Sequence, residues 1–462
     1  MTVHRDVSAF KAYDIRGIYP DQINAPFMDA LARAYATHFR PARVVIGYDA
    51  RLSSEELAAS LAEGFRDSGV DVLDLGLCGT EMVYFATGKY RTDGGMMITA
   101  SHNPKEYNGC KMVARDVVPV GTASGLAEIR KMVAENGPFE HTRPEKPDYR
   151  GDYTRLDITK EFLDWMTGQL TIPVRRDLKV VLNAGNGAAG PTLRAMANKL
   201  PCRCELLFEQ PDGNFPNGVP NPLLPECRED TARAVREAKA DLGVAFDGDF
   251  DRCFFFDEQG RFIEGYYIVG LLARQILKSH PGAKIIHDPR LTWNTIETVK
   301  QFGGVPVESK TGHAFIKERM RLEKAEYGGE MSAHHYFRSF WYSDTGILPF
   351  LLMLELLSST DKRLSELVDE AIRRYPVTGE QNFTISASPE AVIKAVEKHY
   401  SGKGVIARRD GLSISFDDWR FNLRASNTEP LLRLNVESRG DAELMLAKRD
   451  EIVGIISSFA QP

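Results

Sequence analysis

Short apolar runs rich in β-branched residues alternate with stretches of helical period along most of the chain. Residues 25–39 carry apolar side chains at three- and four-residue spacing, which predicts an amphipathic helix. One arrangement then recurs three times: an apolar run after a basic residue, a turn, a helical stretch and a second apolar run. Strands that alternate with helices in this way predict right-handed crossovers and mainly parallel sheets. The paired runs are residues 43–47 and 71–75, residues 179–183 and 204–208, and residues 284–288 and 305–308.

Each repeat then reaches a third segment that ends in a polar loop. These loops are residues 99–102, 247–252 and 329–334. In open α/β sheets, ligands bind beyond the carboxyl ends of the strands. Polar loops at equivalent ends of three repeated domains are therefore expected to converge on one cleft.

The repeat is lost near the carboxyl terminus, where the pattern changes. Strand-like runs at residues 412–416 and 431–437 flank a polar loop, which predicts an antiparallel domain. The predicted fold class is α/β, with three repeated doubly wound domains and a smaller α+β C-terminal domain. A proline-rich, charged stretch at residues 138–153 separates the first two domains. The predicted domains are residues 1–150, 151–255 and 256–370, which carry the three polar loops in order, and residues 371–462.

Composition narrows the class of protein. At 462 residues the chain is too long for one hydrophobic core, and 43% hydrophobic with 26% charged residues is typical of soluble globular proteins. A formal charge of -6 argues against a nucleic-acid-binding protein. The longest apolar run, residues 347–357, is interrupted by Pro349 and Glu355 and is too short to span a bilayer. With no signal-peptide pattern, six dispersed cysteines and no coiled coil, we expect a cytoplasmic monomer that binds neither nucleic acid nor membrane.

Residues 97–104 bring a serine to the end of a strand. An apolar run stops there in small and polar residues, and Pro104 forces a turn because the residue before proline avoids helical angles. Ser101 would then be held at the exit of a rigid strand, where a nucleophile can be both fixed and exposed. The alternative is that the Ser101 hydroxyl only satisfies its own turn.

Three aspartates, Asp247, Asp249 and Asp251, directly follow the apolar run 242–246. Side chains two residues apart point the same way in an extended chain, so the three carboxylates would face one point. Such a cluster repels itself unless a cation is bound, and hard oxygen donors suit Mg²⁺. Arg252 adds a fixed positive charge beside the cluster. A solvated acidic turn is the alternative interpretation.

The polar loop of the last domain combines a guanidinium, two hydroxyls and an amide, from Arg424, Ser426, Asn427 and Thr428. An arginine fork with uncharged donors around it is typical of a phosphate cradle. A helix cap is the alternative, but the residues from 431 onward are strand-like and leave no helix to cap.

Two further motifs are interpreted as structural. Gly185, Gly187 and Gly190 have the spacing of a dinucleotide-binding turn, but the other repeats lack these glycines. We therefore interpret them as a tight turn with close helix packing. Cys202 and Cys204 hint at a metal site, but no second Cys/His pair follows, and we interpret them as strand residues that face the same side.

The motifs at residues 99–104, 247–252, 329–332 and 424–428, in this order, resemble those of the α-D-phosphohexomutase family. The resemblance runs essentially end to end and is nearest to the bacterial phosphomannomutase/phosphoglucomutase members. It implies four domains in a heart-shaped arrangement around a central cleft. The implied reaction is reversible intramolecular phosphoryl transfer between hexose 1-phosphate and hexose 6-phosphate, of glucose and/or mannose, through phosphoserine and a hexose 1,6-bisphosphate intermediate. An amino-sugar phosphate mutase, a phosphatase and a catalytically silent sugar-phosphate-binding protein are the alternatives.

The resemblance also implies a role for each motif residue. Ser101 is the implied phosphoserine, and the implied Mg²⁺ ligands are Ser101, Asp247, Asp249 and Asp251. The implied ligands of the non-reacting phosphate are Arg424, Ser426, Asn427 and Thr428. The implied sugar ligands are Tyr13, His313, Glu330, Ser332 and Arg290, which stands where several relatives carry lysine. The other implied catalytic residues are Arg16, His102, Arg252 and the two candidates for general acid/base catalysis, Lys111 and His334.

The chemistry of these residues agrees with that implication. A phosphoserine carries about -1.5 to -2 charges at neutral pH, so a second phosphate can approach it only if positive charge compensates. Mg²⁺ together with Arg16, Lys111 and Arg252 can supply that charge. Phosphoryl transfer then depends on alignment and charge stabilisation more than on covalent machinery. Small phosphosugars are the expected ligands, glucose 1,6-bisphosphate the expected activator, and nucleotide-sugar supply for polysaccharide assembly the expected context.

Overall fold

The computed structural model describes residues 5–425 and 431–459. Contacts divide the chain into two compact units. The first unit comprises the described residues up to Phe262 together with Ser339–Thr360. The second comprises Ile263–Arg338 and the described residues from Asp361 onward.

The first unit begins with a mixed sheet flanked by helices. Its strands are β1 (Ile15–Ile18), β2 (Arg43–Tyr48), β3 (Asp71–Leu77), β4 (Gly94–Ile98), β5 (Tyr107–Ala114), β6 (Val118–Pro119) and β7 (Tyr153–Arg155). Its helices are α1 (Ala25–Phe39), α2 (Ser54–Asp67), α3 (Thr80–Lys89) and α4 (Leu126–Glu135). The strand order is β1-β5-β4-β2-β3-β7, and β6 pairs with β5. Strand β2 runs parallel to β3 and β4, whereas β5 runs antiparallel to β4.

Helix α1 has the bounds that its apolar spacing predicts. At its start the Asn24 side chain accepts a hydrogen bond from the Phe27 amide, and at its end Arg40 adopts left-handed angles with φ 49°. Its buried face packs against α2, where the rings of Tyr35 and Phe65 meet edge-on with centroids 5.7 Å apart. This packing belongs to the hydrophobic core of the first domain.

The stretch that follows α4 packs against the first domain instead of standing apart from it. The Thr142 amide donates to the Ser68 carbonyl and the Gly151 amide donates to the Arg66 carbonyl, each at 2.9 Å. Strand β7 then pairs in parallel with β3 at the edge of the sheet. The first sheet therefore continues to Arg155, beyond the proline-rich stretch.

The second sheet of the first unit is smaller. Its strands are β8 (Lys179–Asn183), β9 (Arg203–Leu207), β10 (Leu242–Phe246) and β11 (Cys253–Phe256), in the order β11-β10-β8-β9. Its helices are α5 (Thr159–Thr167), α6 (Ala189–Lys199) and α7 (Glu229–Ala238).

Both structural interpretations of motifs in this domain agree with the geometry. Gly185 adopts φ +58°, and a Cβ on Gly190 would lie 1.7 Å from the Glu209 carbonyl oxygen, so the glycines serve a tight turn and close packing. The sulfurs of Cys202 and Cys204 lie 3.9 Å apart at the start of β9, as expected of neighbours on one side of a strand.

The second unit begins with the third sheet. Its helices are α8 (Gly265–Ser279), α9 (Trp293–Gln301) and α10 (His313–Glu323). Its strands are β12 (Lys284–His287), β13 (Val305–Glu308), β14 (Tyr327–Gly329) and β15 (His335–Phe337). Strand β12 runs parallel to both β13 and β14, and β15 runs antiparallel to β14.

The chain then enters Ser339–Thr360, which packs with the first unit. This segment contains β16 (Ser343–Asp344) and α11 (Ile347–Ser358). Helix α11 contacts α5 and β11. Its buried Glu355 accepts hydrogen bonds from the amides of Thr171 at 2.8 Å and Ile172 at 2.7 Å. The stretch predicted as the third domain is therefore shared between the two units.

The remainder of the second unit is α12 (Leu364–Arg374) and an antiparallel domain. Its strands are β17 (Gln381–Thr384), β18 (Val405–Ala407), β19 (Leu412–Ser415), β20 (Trp419–Ala425) and β21 (Leu431–Ser438), in the order β17-β21-β20-β19-β18. Helices α13 (Pro389–His399) and α14 (Ala442–Ser457) complete it. Short 3₁₀ helices elsewhere in the chain lie at Arg115–Val117, Thr122–Ser124, Pro225–Cys227 and Arg338–Phe340. None of the helices in residues 5–425 and 431–459 is long and apolar enough to cross a membrane.

The three α/β sheets repeat one topology. They contain the strand orders β3-β2-β4-β5, β9-β8-β10-β11 and β13-β12-β14-β15. In each, the third parallel strand is followed by an antiparallel strand beside it. The predicted repeat and the predicted α+β domain are confirmed. Each of the three polar loops connects that third parallel strand to its antiparallel neighbour.

Candidate active site

Ser101 occupies the loop between β4 and β5 in a constrained conformation. Its φ of 51° lies in the left-handed region, which costs a residue other than glycine about 1–3 kcal/mol. The Ser101 amide donates to the Thr99 hydroxyl at 2.7 Å, and the Thr99 hydroxyl donates to Asp49 at 2.7 Å. These two bonds attach the serine backbone to the end of the neighbouring strand β2.

Arg51 holds the same loop from its other side. The guanidinium is buried and donates to the carbonyl oxygens of Ser101 at 2.9 Å and Asn103 at 2.6 Å. It also donates to the carbonyl oxygens of Pro104 at 2.7 Å and Tyr107 at 2.9 Å. Because one rigid fork binds four backbone oxygens, the strained loop has little freedom to relax.

The Ser101 hydroxyl faces charged groups from the second domain. Its Oγ donates to Asp247 Oδ2 at 2.8 Å and accepts from Arg252 Nη2 at 3.3 Å. The Nδ1 atom of His102 lies 3.1 Å from the same oxygen. Arg252 also binds Asp247, with Nε 2.9 Å from Oδ2. Removal from water, together with the positive charge of Arg252, lowers the pKa of His102 well below its ordinary value, which favours the neutral imidazole.

The three aspartates after β10 converge. One carboxylate oxygen from each of Asp247, Asp249 and Asp251 lies within 4.8 Å of the others, and all three residues are buried. The sequence predicts that these carboxylates converge from an extended chain, but the residues form a turn in which Phe250 adopts φ 42°. The turn therefore gathers the carboxylates, and the predicted extended geometry is wrong.

The cluster has the properties of a magnesium site. The Oδ1 atom of Asp249 is buried and has no hydrogen-bond partner among residues 5–425 and 431–459. A buried carboxylate oxygen without a donor is costly, and a cation would satisfy it. Closely spaced hard oxygen donors are the ligands that Mg²⁺ prefers. The residues present thus fit the ion that the sequence predicts.

Lys111, on β5, is the counter-charge of this cluster. Its Nζ donates to Asp249 Oδ2 at 2.7 Å and to Asp251 Oδ2 at 2.5 Å. Burial lowers the pKa of Lys111, but the two carboxylates outweigh it and raise the pKa overall, so the side chain is a cation here. Burial raises the pKa of Asp249, but the charge of Lys111 outweighs burial, so the pKa is lowered overall. Burial and the charge of Asp249 raise the pKa of Asp251.

Tyr13 lies just before β1 and Arg16 lies within it, and β1 pairs with β5. Arg16 Nε donates to Asp14 Oδ2 at 2.7 Å, and its Nη1 donates to Asn103 Oδ1 at 2.6 Å. Burial lowers the pKa of Arg16, but Asp14 outweighs burial and raises the pKa overall, so the guanidinium stays charged. Tyr13 is half-buried in the segment before β1. The structure thus brings Arg16, Ser101, His102, Lys111, Arg252 and the three aspartates together in the first unit.

The second unit gathers the predicted sugar residues around the loop between β14 and β15. The buried Glu330 accepts from the Gly312 amide at 2.9 Å and from the Tyr336 hydroxyl at 2.5 Å. Burial raises its pKa even though Arg290 opposes the rise. The rings of His313 and His334 are 6.3 Å apart and nearly parallel, and His334 Nδ1 lies 3.7 Å from Glu330 Oε2.

Arg290 ties this loop to the end of β12. Its Nε and Nη2 donate to the two oxygens of Asp288 at 3.1 and 2.9 Å, a bidentate pair. The Met331 amide donates to Asp288 at 2.9 Å, and Arg290 Nη2 lies 3.5 Å from the Ser332 hydroxyl. Arg290 is thus within reach of the predicted sugar residues.

Arg424 ends β20 and forms an ion pair with Glu380 at 3.1 Å. Arg433, on β21, donates to the other oxygen of Glu380, also at 3.1 Å. Burial raises the pKa of Glu380, but Arg290, Arg424 and Arg433 outweigh it and lower the pKa to about 2. The other predicted phosphate ligands, Ser426, Asn427 and Thr428, lie outside the described residues.

Sequence reasoning missed several residues of these two sites. The missed residues are Asp49, Arg51, Thr80, Asp288 and Glu380. Asp49, Arg51 and Asp288 follow the first strand of their repeats, at the sheet edge where ligands bind, so the topology could have indicated them. Thr80, whose hydroxyl donates to Asp249 at 2.5 Å, and Glu380 have no comparable signal, because they reach their partners across long stretches of chain.

Family models match most of the chain. Phosphoglucomutase/phosphomannomutase alpha/beta/alpha domain I matches residues 7–138, domain II residues 160–260 and domain III residues 264–375. The C-terminal domain of the same family matches residues 377–454. Together with the repeated sheets, these matches show that the chain belongs to the phosphoglucomutase/phosphomannomutase family. It is accordingly an isomerase with phosphohexomutase activity.

Individual relatives are similar over nearly their whole length. A phosphomannomutase of Salmonella typhimurium is 52% identical over 457 residues, covering 98% of this chain and 99% of that protein. One of Escherichia coli K12 is 50% identical over 461 residues, covering 98% and 100%. A phosphoglucomutase/phosphomannomutase family protein of Burkholderia thailandensis has a similar structure, with TM-score 0.87, 31% identity and 98% of each chain covered.

Proposed function

We propose that the chain interconverts hexose 1-phosphate and hexose 6-phosphate, of glucose and/or mannose, through a phosphorylated Ser101 and a hexose 1,6-bisphosphate. The observation that carries the proposal is the Ser101 hydroxyl, held in a strained loop against Asp247 and Arg252 beside the acidic cluster. Relatives named phosphomannomutase support the hexose class of substrate.

The charges around Ser101 suit a phosphoserine. Arg252 contacts the hydroxyl directly, and the buried Lys111 and the partly buried Arg16 add two further cations in the same unit. Asp247, Asp249 and Asp251, with an oxygen of Ser101 or its phosphate, would hold Mg²⁺. The bound ion would supply positive charge and alignment for a transferring phosphoryl group.

Two transfers make up the proposed reaction. In the first, the bond between phosphorus and Ser101 Oγ breaks, a bond to the free sugar hydroxyl forms, and the hydroxyl proton passes through a general base to Ser101 Oγ. In the second, the bisphosphate has turned over and returns its other phosphoryl group to Ser101 by the reverse exchange of bond and proton. Lys111 and His334 are the proposed proton carriers.

The second unit would hold the substrate in both orientations. Glu330, Ser332, His313 and Arg290 are the proposed sugar ligands there. Tyr13, on the first unit, is proposed as a sugar ligand from the family resemblance alone. Arg424, Ser426, Asn427 and Thr428 are the proposed ligands of the phosphate that does not react. We further propose that glucose 1,6-bisphosphate activates the enzyme and that phosphosugars bind to a monomer.

A paired assay tests this function. The protein is supplied with Mg²⁺, a trace of glucose 1,6-bisphosphate and either glucose 1-phosphate or mannose 1-phosphate. The 6-phosphate and free inorganic phosphate are followed together. Formation of the 6-phosphate without inorganic phosphate supports the proposal. Inorganic phosphate as the main product indicates a phosphatase. If neither hexose 1-phosphate is converted but glucosamine 1-phosphate is, in a parallel assay, the chain is an amino-sugar mutase.

A further inference from the structure

An ion pair between two strands of the C-terminal domain is enclosed inside the second unit. Arg420, on β20, stands directly opposite Glu437, on β21, and Arg420 Nη1 donates to Glu437 Oε1 at 2.8 Å. Only 4% of the arginine side chain and 0% of the glutamate side chain are exposed. Charges that are removed from water are costly unless further hydrogen bonds satisfy their remaining donors and acceptors. The other partners of this pair therefore indicate what it is for.

Arg420 holds the loop that follows β12 by its carbonyl oxygens. Its Nη2 donates to the carbonyl oxygen of Pro289 at 2.9 Å, and its Nη1 donates to that of Arg290 at 3.0 Å. A planar guanidinium presents its donors in a rigid fork, so two successive carbonyl groups bound to it have a defined orientation. The backbone that carries the Arg290 side chain is therefore fixed by a residue of the C-terminal domain.

Glu437 holds the next residues of the same loop by their amides. Its carboxylate oxygens accept from the amide of Thr292 at 2.7 Å and from that of Trp293 at 3.2 Å, at the start of α9. The Tyr266 hydroxyl, on α8, also donates to this carboxylate. Amides in the first turn of a helix have no partner within the helix, and negative charge is favoured there. The ion pair thus binds the backbone of the whole loop, residues 289–293.

The strand that carries Arg420 also carries a proposed phosphate ligand. Arg424 lies four residues further along β20, so the two arginine side chains leave the same face of the sheet. Phe421 and Leu423 leave the opposite face and belong to the hydrophobic core of the C-terminal domain. Four residues of extended chain span about 13 Å. Strand β20 therefore connects the backbone of Arg290 to the side chain of Arg424 at a fixed spacing.

We propose that Arg420, paired with Glu437, is a positioning residue for substrate binding. The pair fixes Arg290, a proposed sugar ligand, relative to Arg424, a proposed ligand of the non-reacting phosphate. It thereby sets the spacing at which the second unit accepts a phosphosugar. This inference rests on the proposed function for the roles of Arg290 and Arg424. Ligands that hold the substrate equally well before and during the reaction affect KM and leave kcat unchanged.

Steady-state kinetics of a double variant tests the inference. Arg420→Gln alone leaves the buried charge of Glu437 unpaired, which destabilises the fold. Combining it with Glu437→Gln removes both charges and keeps a side-chain oxygen for the loop amides. We expect KM for the hexose 1-phosphate that the wild type converts to rise about tenfold, with kcat within about twofold of the wild type. A purely structural role predicts the reverse, because unfolded molecules lower the apparent kcat and leave KM unchanged.

A further substitution shows whether the effect passes through Arg290. Arg290→Gln is expected to raise KM by itself. Adding the double variant to it should then change KM by less than about twofold, because residues that act through one another are not additive. Independent, multiplicative increases in KM would show that the pair acts elsewhere and would overturn the inference.

The matched control is Lys284→Gln. Lys284 lies at the other end of β12 and donates to Glu323 at 2.6 Å, so this substitution removes an ion pair of the same unit away from residues 289–293. Its KM and kcat should equal those of the wild type. A rise in KM as large as that of the double variant would overturn the inference, because the effect would not be specific to the buried pair.

Hydrogen exchange gives a readout that does not need turnover. In the double variant, the peptide that contains Thr292 and Trp293 should exchange faster, because its amides lose charge-assisted hydrogen bonds. The same peptide should be unchanged in Lys284→Gln. Unchanged exchange in the double variant, or an unchanged KM, would overturn the inference and leave the proposed function standing. A wild type that converts no hexose phosphate in the paired assay would overturn both.

Discussion

The acidic loop of the first unit and the arginine cluster of the second have similar arrangements with opposite charges. The acidic loop contains Asp247, Asp249 and Asp251, and the arginine cluster contains Arg290, Arg424 and Arg433. Each gathers three side chains of one sign in a small volume and places side chains of the opposite sign among them. Lys111 stands among Asp247, Asp249 and Asp251, and Glu380 stands among the three arginines. In each place a buried polar atom has no partner among the described residues, Asp249 Oδ1 in one and Arg424 Nε in the other.

The difference between the two clusters indicates what each one binds. Buried like charges are expensive unless a counter-ion completes them. The unpartnered Asp249 Oδ1 leaves the acidic cluster with an open acceptor for a metal ion, and the unpartnered Arg424 Nε leaves the basic cluster with an open donor for an anion. Lys111 and Glu380 each stabilise their cluster by pairing with its buried charges. This comparison predicts opposite responses when either resident group is removed.

The largest expected effect belongs to Ser101, whose hydroxyl contacts Asp247 and Arg252 beside the acidic loop. Ser101→Ala removes the phosphate acceptor but leaves the arginine cluster intact. We expect turnover to fall by at least about 10⁴-fold, as for removal of a catalytic nucleophile. Phosphate binding at the second unit should be unchanged in the same protein. Ser401→Ala, at an exposed turn position, is the control and should keep full activity. Full activity of Ser101→Ala would contradict the account.

Removing the resident cation of the acidic loop should be the next largest effect. Lys111→Gln leaves Asp249 and Asp251 without their cation, so in a chelator we expect the free energy of unfolding to fall by about 3–5 kcal/mol. Mg²⁺ should restore part of that loss. Chemical denaturation with and without Mg²⁺ measures it.

The control for that substitution is Lys179→Gln, because Lys179, on β8, donates to the backbone carbonyl of Ala238 at 2.7 Å and lies 3.8 Å from Glu205, away from the acidic loop. The free energy of unfolding of Lys179→Gln should not depend on Mg²⁺. An unfolding free energy of Lys111→Gln that is equally insensitive to Mg²⁺ would argue against a metal at the acidic loop.

The resident carboxylate should contribute stability in a defined pH range. The pKa of Glu380 is about 2 when folded, below its ordinary value of 4.5, so its contribution is complete above about pH 4.5 and is lost as the pH falls toward 2. The lowered pKa corresponds to about 3 kcal/mol. Urea unfolding should therefore show a constant difference between wild type and Glu380→Gln from pH 8 to pH 5. That difference should narrow below pH 4.5. A difference that already narrows between pH 8 and pH 6 would show that another group is responsible.

The smallest expected effect concerns the scaffold of the serine loop. Arg51→Lys retains the charge but cannot bind four carbonyl oxygens with one fork. We expect kcat to fall about 10- to 100-fold with little change in KM, because the misplaced group is the reacting serine. Arg228→Lys is the control, since Arg228 binds the carbonyl oxygens of Pro222 and Leu223 in another loop. Equal losses in both variants would show that the effect is not specific to the serine loop.

Sequence patterns predicted the parts of this molecule that depend on local periodicity. The bounds of α1, the paired strands of the three repeats and the strands that flank residue 424 all follow from alternation or helical spacing over short stretches. The polar loops could be found because topology places strand ends at one edge of a sheet. Ser101 and the three aspartates could therefore be identified from the sequence alone.

Contacts between distant parts of the chain could not be predicted in this way. The packing of Ser339–Thr360 with the first unit depends on burial of Glu355 and its neighbours against residues more than a hundred positions earlier. Glu380 likewise meets its arginines through the fold, and its own sequence neighbourhood is unremarkable. The turn that brings the aspartates together requires left-handed backbone angles at Phe250. Because this residue is not a glycine, the sequence does not indicate those angles.

The most direct test of the central claim is transfer of label to and from Ser101. The protein is incubated with Mg²⁺ and glucose 1,6-bisphosphate that carries radioactive phosphate, and the labelled peptide is identified. The account predicts label on the peptide that contains Ser101, and its recovery in hexose bisphosphate when unlabelled hexose 1-phosphate is added. Label that never appears on Ser101, or that leaves it only as inorganic phosphate, would contradict the account.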